Sequence, residues 1–325
     1  MTTTKIASIN HKGLVALGLS LAFVASAQAQ QLGIGTSGQG SATYGIGAAI
    51  ANVISSETPE DFTVQPYGGT GRVVPLVDTG RTDFGLANIL EVTNAVEGRG
   101  PFDGRPHENL RIVGVVYPFE VGFFVREDSD IQHINDIEGL RISSEYSGQR
   151  IIGSLTEALL ANADLTLDDM QGVPTSGIIS NADDFAAGQT DVGFFALGAG
   201  KVNEVDASVG GLRYIPINDS PEAEARMQEV MPQTYISSVD PREDLTGVHE
   251  TMPLMAYDYI LYTGAHVPDE VIYNLVGSMI EHREALASNY APLSGLDPEM
   301  MGKDVGMPHH PGAIQYYQDN GLWHE

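Results

Sequence analysis

Residues 32–47 read LGIGTSGQGSATYGIG, and the reading of this stretch decides the fold. Gly33-Ile34-Gly35-Thr36-Ser37-Gly38 matches G-x-G-x-x-G, a spacing shared with dinucleotide-binding loops. Such a loop also needs an acid at the end of the second strand to hold a ribose hydroxyl. The second predicted strand, FTVQPYGG, ends in Tyr67 and Gly68, while Glu57, Glu60 and Asp61 precede it at the wrong end. The stretch is better read as a short apolar strand, LGIGT, a glycine turn and a helix with Ile46, Ile50, Val53 and Ile54 at helical spacing. Ser41 or Thr43 can cap that helix near Tyr44, and glycine lets backbone approach a ligand. The free amides and positive dipole end of a helix N-terminus favour an anion.

Working outward, the same unit recurs. DFGLAN is a further strand. LRIVGVVYPFEVGFFVRE is a long apolar stretch that Pro118 divides, predicting two consecutive strands. LRISSE, the loop YSGQR and the helix IIGSLTEALLANA then repeat strand, small-residue loop and helix, with Ser147-Gly148 in the place of Ser41. SNADDFAAGQ reads as helix and TDVGFFALG as strand. Each half carries a Gly-x-x-Asp turn, Gly80-Arg81-Thr82-Asp83 and Gly188-Gln189-Thr190-Asp191. Asp83 and Asp191 are read as satisfying turn backbones. The alternation predicts α/β layers around a mainly parallel sheet, arranged as two facing lobes. The last third adds the strand MPLMAYDYILYTG, one helix over PDEVIYNLVGSMIEHREAL and another over PGAIQYYQDNG, with Pro268 and Pro311 in first-turn positions. His309 and His310 are read as capping or surface groups, not metal ligands.

Composition bounds the setting. Residues 1–29 read as a cleaved secretory signal: Lys5, His11 and Lys12, the apolar run 14–27, then Ala27-Gln28-Ala29. That run is short of the ~20 residues a spanning helix needs, so a free periplasmic protein not embedded in the membrane is expected. The chain has no cysteine, which excludes a disulfide framework, thiolate metal sites and a cysteine nucleophile. Its net charge of −27 repels phosphate backbones and argues against a nucleic-acid partner. The acids are scattered, as in residues 57–61 and 222–229, a pattern that fits a salt-screened surface.

Taken in order, IGTSGQGSATYGIGAAIA, GGTGRVVPLVDTGRTDFGLAN, HENLRIVGVVYP, INDIEGLRIS, YSGQR, GQTDVGFFALG and HHPGAIQYYQDNG resemble the TAXI family of solute-binding proteins, the extracytoplasmic receptors of TRAP transporters. The resemblance covers most of the chain after residue 29. It implies a two-lobed fold of the type II periplasmic-binding-protein kind, with a central cleft and interlobe hinge strands. Lobe 1 would comprise residues 30–120 plus about 250–325, and lobe 2 about 121–249. The chain would cross first near residues 117–124 and return somewhere in 211–262. Implied ligand-binding residues are Gly40, Ser41, Thr43, Tyr44, Gly69, Thr70, Arg72 and Asn88 in the first lobe. The second offers Tyr146, Ser147, Gly148, Gln149, Phe195 and Gly198. Arg72 can hold a carboxylate by two-point contact; Arg111, Arg141 and Arg150 are secondary candidates. Three positions depart from the family pattern: Val73-Val74, where it often has Asn-Leu; Asn88, where glutamine is common; and Tyr146, which opens a shortened Gly-Ser-Gly loop.

No enzyme motif is complete. His249-Glu250-Thr251-Met252-Pro253 has proline where H-E-x-x-H needs histidine, no G-x-S-x-G is present, and Asp128-Ser129-Asp130 lacks the sixth-position glycine of a calcium loop. Neither a catalytic residue nor a metal or cofactor is expected. The expected function is capture of a small organic anion, a carboxylate or an amino acid such as glutamate, for TRAP membrane subunits. The alternatives are an exported hydrolase with a triad assembled from distant segments, and a bilobal sensor feeding a membrane kinase.

Overall fold

The computed structural model describes residues 1–3 and 31–324; nearly all of the expected signal peptide lies outside them. The first unit runs β1 (Gln31–Thr36), α1 (Ala42–Ile54), β2 (Asp61–Pro66), α2 (Thr70–Asp78), β3 (Phe84–Asn88) and α3 (Ile89–Glu97). The long strand β4 (Leu110–Arg126) leads to β5 (Arg141–Ser144), α4 (Arg150–Asn162), β6 (Gln171–Pro174), α5 (Ile178–Ala186), β7 (Gly193–Ala196) and α6 (Gly200–Val209). Next come β8 (Leu212–Tyr214), α7 (Pro221–Val230), β9 (Thr234–Val239) and a second long strand, β10 (Met252–Gly264). Helices α8 (Asp269–Glu281), α9 (Arg283–Asn289), α10 (Pro298–Met301) and α11 (Pro311–Asp319) close the chain.

Eight strands join in one sheet along the path β2-β1-β3-β10-β4-β7, with β8 on β4 and β9 on β10. Strands β5 and β6 form a separate pair, bridged to the start of β7 by Ile142 and Val192. The expected mainly parallel sheet is corrected. Pairing is parallel in β2-β1-β3 and β5-β6, but every contact of β4 and β10 with a strand is antiparallel. The two long strands run against each other through the middle of the molecule and reverse the local sense of the sheet.

Pro118 does not divide β4, which is one strand and not the two expected. It pairs with Asp258, and β7 joins the other edge only from Val121 to Phe124. Proline is tolerated where one edge of a strand is left open. Near residue 110, β4 pairs with the stretch of β10 that also holds β3; beyond Val121 it carries β7 and β8.

The helix that opens the first unit buries Ile46, Ile50, Val53 and Ile54, the spacing seen in the sequence. Asp83 and Asp191 do more than close turns. Asp83 Oδ2 accepts from the amide of Gly33 at 2.7 Å, and Asp191 Oδ2 from that of Arg141 at 3.0 Å. Each spans 50 residues to the leading strand of its unit. The single helix expected over residues 268–286 is two, divided at His282. Pro268 is the N-cap of α8, whereas Pro311 occupies the first turn of α11. His310 caps α11 through Nδ1, and both His309 and His310 are buried, not at the surface. Among the described residues no helix is long and apolar enough to cross a membrane, and no cluster of acids and histidines could hold a metal.

Candidate functional site

A cavity of about 50 Å³ lies where the helix-leading loops of the two units meet. That volume suits a few water-sized groups. One wall is Ser37, Ser41, Ala42 and Thr43 at the start of α1, with Thr70 from α2 and Asn88 at the end of β3. The facing wall is Gln149, Ile151 and Ile152 at the start of α4, with Ile178 from α5 and Phe195 from β7. Phe119 of β4 and Tyr257 and Tyr259 of β10 complete the lining.

Local structure presents the polar groups. Ser41 is the N-cap of α1, and its Oγ accepts from the Tyr44 amide at 3.2 Å. The amides of Ala42 and Thr43 have no acceptor among the described residues, as first-turn amides require a partner beyond their own helix. Asn88 caps α3, with Oδ1 accepting from the Glu91 amide at 2.7 Å. Gln149 precedes α4, and its Oε1 accepts from the Ile178 amide at 2.6 Å, tying α4 to α5. Thr43 Oγ1 and the Tyr259 hydroxyl lie 2.6 Å apart.

The lining has no charged side chain. Burial pushes the Tyr257 and Tyr259 phenols well up, so both remain neutral hydrogen-bond donors. Phe119 stacks on Tyr259 with ring centroids 4.1 Å apart and on Tyr257 at 5.5 Å. Just behind Thr70, the carboxyl of Glu91 is 5% exposed and accepts the Thr70 hydroxyl. Burial pushes its pKa up to about 7, against the opposing pull of the Thr70 hydrogen bond.

The two units touch directly across this cavity. The Lys201 amide at the start of α6 donates to the Gly40 carbonyl at 3.1 Å. Gly40 has φ +90, a conformation that glycine adopts without strain. A Cβ on Gly69 would fall 2.7 Å from Gln149 Cγ, so this approach also depends on glycine.

Of the residues expected at the site, Ser41, Thr43, Thr70, Asn88, Gln149 and Phe195 line the cavity together. Gly40 and Gly69 hold the adjoining contacts. Arg72, Ser147 and Gly148 line a neighbouring crevice instead, one that shares Thr70, Gln149 and Ile151 with the cavity. Tyr44 is half-buried and outside the lining. Tyr146 is a core residue whose hydroxyl lies 3.3 Å from Asn181 Oδ1. Gly198 packs on Pro292, away from the cavity. Among the secondary candidates, Arg141 is engaged with Asp191.

The aromatic floor was not anticipated. Its signal was present in MPLMAYDYILYTG, where Tyr257 and Tyr259 alternate and so share one face of a strand. Both tyrosines are buried, and a buried strand face that borders a cavity looks like any other core face in that pattern.

This architecture is an α/β fold with a curled central sheet of the periplasmic-binding-protein kind. A structure described as a periplasmic transporter matches with a TM-score of 0.57 at 13% identity, covering 90% of this chain and 94% of its own. The VFT2 domain of Bordetella pertussis BvgS matches with a TM-score of 0.50 at 12% identity, covering 81% and 93%. The periplasmic aliphatic sulphonate binding protein SsuA from Escherichia coli has a TM-score of 0.46 at 13% identity, covering 90% and 79%. The family model described as NMT1-like matches residues 34–321, and on that extent the chain belongs to the NMT1-like family.

Proposed function

We propose that the protein is an extracytoplasmic, periplasmic solute-binding protein. It captures a small organic anion, a carboxylate or an amino acid, and presents it to the membrane subunits of a TRAP transporter. The observation that carries this reading is the shared cavity: Ser41 and Thr43 from one unit and Gln149 and Phe195 from the other line one space. The two lobes divide at about residues 120 and 250, with β4 and β10 as hinge strands. Uncharged walls leave the anion to be held by first-turn amides of α1 and α4 and by hydroxyls, groups that pay little desolvation when the cleft shuts. The aromatic floor would cover the solute's apolar part.

Closure follows from differential contact. A solute bridging both walls gains partners only when they meet, and moving a mostly open population to a mostly closed one needs about 5.5 kcal/mol of differential affinity. The closed form is the one a permease would read. The TRAP assignment rests on the ordered family resemblance of the segments, and the export route on residues 1–29.

Calorimetry of the purified protein against a panel of small carboxylates and amino acids tests this. One of them should bind with a stoichiometry near one and without turnover. Thr43→Val and Phe195→Ala should each weaken that ligand at least tenfold. Absence of binding across the panel and of any co-purifying solute by mass spectrometry would defeat the reading.

A further inference from the structure

Beside the cavity lies a larger polar crevice of about 420 Å³. Its charged lining is Arg72, Arg105, Arg150 and Glu91. Among the described residues, none of the three arginines makes an ion pair or a side-chain hydrogen bond, whereas Arg99, Arg141, Arg226 and Arg242 each have a carboxylate within 4.0 Å. The crevice acid is withdrawn: Glu91 is buried, takes the Thr70 hydroxyl, and is only partly ionised near neutrality. A chain with 43 acids and 16 lysines and arginines offers an excess of partners for every cation. Arg72, Arg105 and Arg150 are solvent-exposed, and other arginines of the chain, Arg81 among them, also lack an ion pair; what marks the crevice is that three free guanidinium groups converge on a single polar hollow.

We propose that this crevice is an oxyanion site at the mouth of the cleft. It takes the carboxylate, sulfonate or phosphate group of a solute by guanidinium forks from Arg72, Arg105 and Arg150. The residues come from three separate segments: Arg72 from α2, Arg105 from the loop before β4, and Arg150 from the first turn of α4. The crevice thus spans both units, as the cavity does, and Thr70, Gln149 and Ile151 belong to both hollows. A planar fork matches an oxyanion with two parallel hydrogen bonds. The positive hollow also offsets locally the field of a strongly acidic surface, which would otherwise repel an approaching anion. In that role the site deepens the cleft reading and rests on it: the crevice gathers an approaching solute by its oxyanion, and the first-turn amides of the cavity take that group over as the cleft shuts. Its capacity to bind an oxyanion stands alone.

The test titrates inorganic phosphate into the protein at constant ionic strength, followed by calorimetry or by phosphorus NMR line width. The wild type should bind. The triple variant Arg72→Gln, Arg105→Gln, Arg150→Gln should weaken phosphate at least tenfold. Arg81→Gln, which removes an exposed arginine elsewhere, should change it less than twofold. Unaltered affinity in the triple variant, an equal loss in Arg81→Gln, or no wild-type binding overturns the proposal. Thr43→Val separates the two readings, since it should weaken the organic acid and leave phosphate untouched. Phosphate binding with no acid binding defeats the cleft reading alone; acid binding with no phosphate binding defeats the crevice alone.

Discussion

Thr43 Oγ1 and the Tyr259 hydroxyl stand 2.6 Å apart, across 216 residues of sequence. The contact fixes the first turn of α1 to the long strand β10 at the edge of the cavity. Tyr259→Phe keeps the ring stacked on Phe119 and removes only the hydroxyl. It should cost about 1 kcal/mol, as should Thr43→Val, since each leaves one buried hydroxyl without its partner. The double variant should lose no more than the larger single, because both delete the same bond. Urea midpoints of the four proteins measure this, and simple additivity would refute the coupling.

Glu91 should give the protein an unusual acid-side preference. Its folded pKa lies above its unfolded value, so between about pH 4.5 and 7 the folded chain holds the proton that the unfolded chain has lost. Stability contributed by Glu91 is therefore complete below that window and falls as pH rises through it, by up to about 3 kcal/mol. Glu91→Gln should remove this slope. Burial holds the pKa values of His309 and His310 down, which acts in the opposite direction and is common to both proteins. The difference between their denaturation curves from pH 4.5 to 8 isolates Glu91.

The two aspartates that brace the leading strands should differ in weight. Asp83→Ala leaves the Gly33 amide without its carboxylate acceptor and should cost about 1–2 kcal/mol. Asp191 also pairs with Arg141, which holds its carboxyl below the usual range by hydrogen bonding. That contribution is present above the unfolded pKa and is lost as pH falls through the folded one. The pair is open to solvent and adds little, and the Asp191 side chain is the more exposed of the two aspartates, 34% against 23% for Asp83, so water replaces its amide bond more readily and Asp191→Ala should cost less than Asp83→Ala at neutral pH. Thermal melts followed by circular dichroism would show the order.

A net charge of −27 predicts a rising melting midpoint as sodium chloride increases from millimolar toward molar, as screening relieves self-repulsion. A flat or falling midpoint at neutral pH would show that the acids are already compensated locally.

Much of the first unit could be read without coordinates because its signals are local. Ser41 stands one residue before its helix, and the apolar spacing of Ile46, Ile50, Val53 and Ile54 is helical whatever packs against it. The matching Gly-x-x-Asp turns marked the repeat, although their partners, Gly33 and Arg141, lie too far along the chain for spacing to reveal. The long strands β4 and β10 were harder. Pro118 breaks a strand only when both edges are paired, and that depends on where β7 lies. The separation of Arg72 from the cavity was equally hidden. A loop position beside Gly69 permits the side chain to enter either of two adjoining hollows, which share Thr70, Gln149 and Ile151.

Because β4 and β10 pass through both units as paired strands, no linker among the described residues offers a place where halves could be exchanged as cassettes with a relative. A chimera has to enter and leave through paired strands, and the matched positions are Pro118 and Asp258. A graft cut there preserves the alignment of both strands at once. One cut a single residue out of step turns every side chain beyond the junction to the opposite face, and carries the aromatic floor of the cleft away with it.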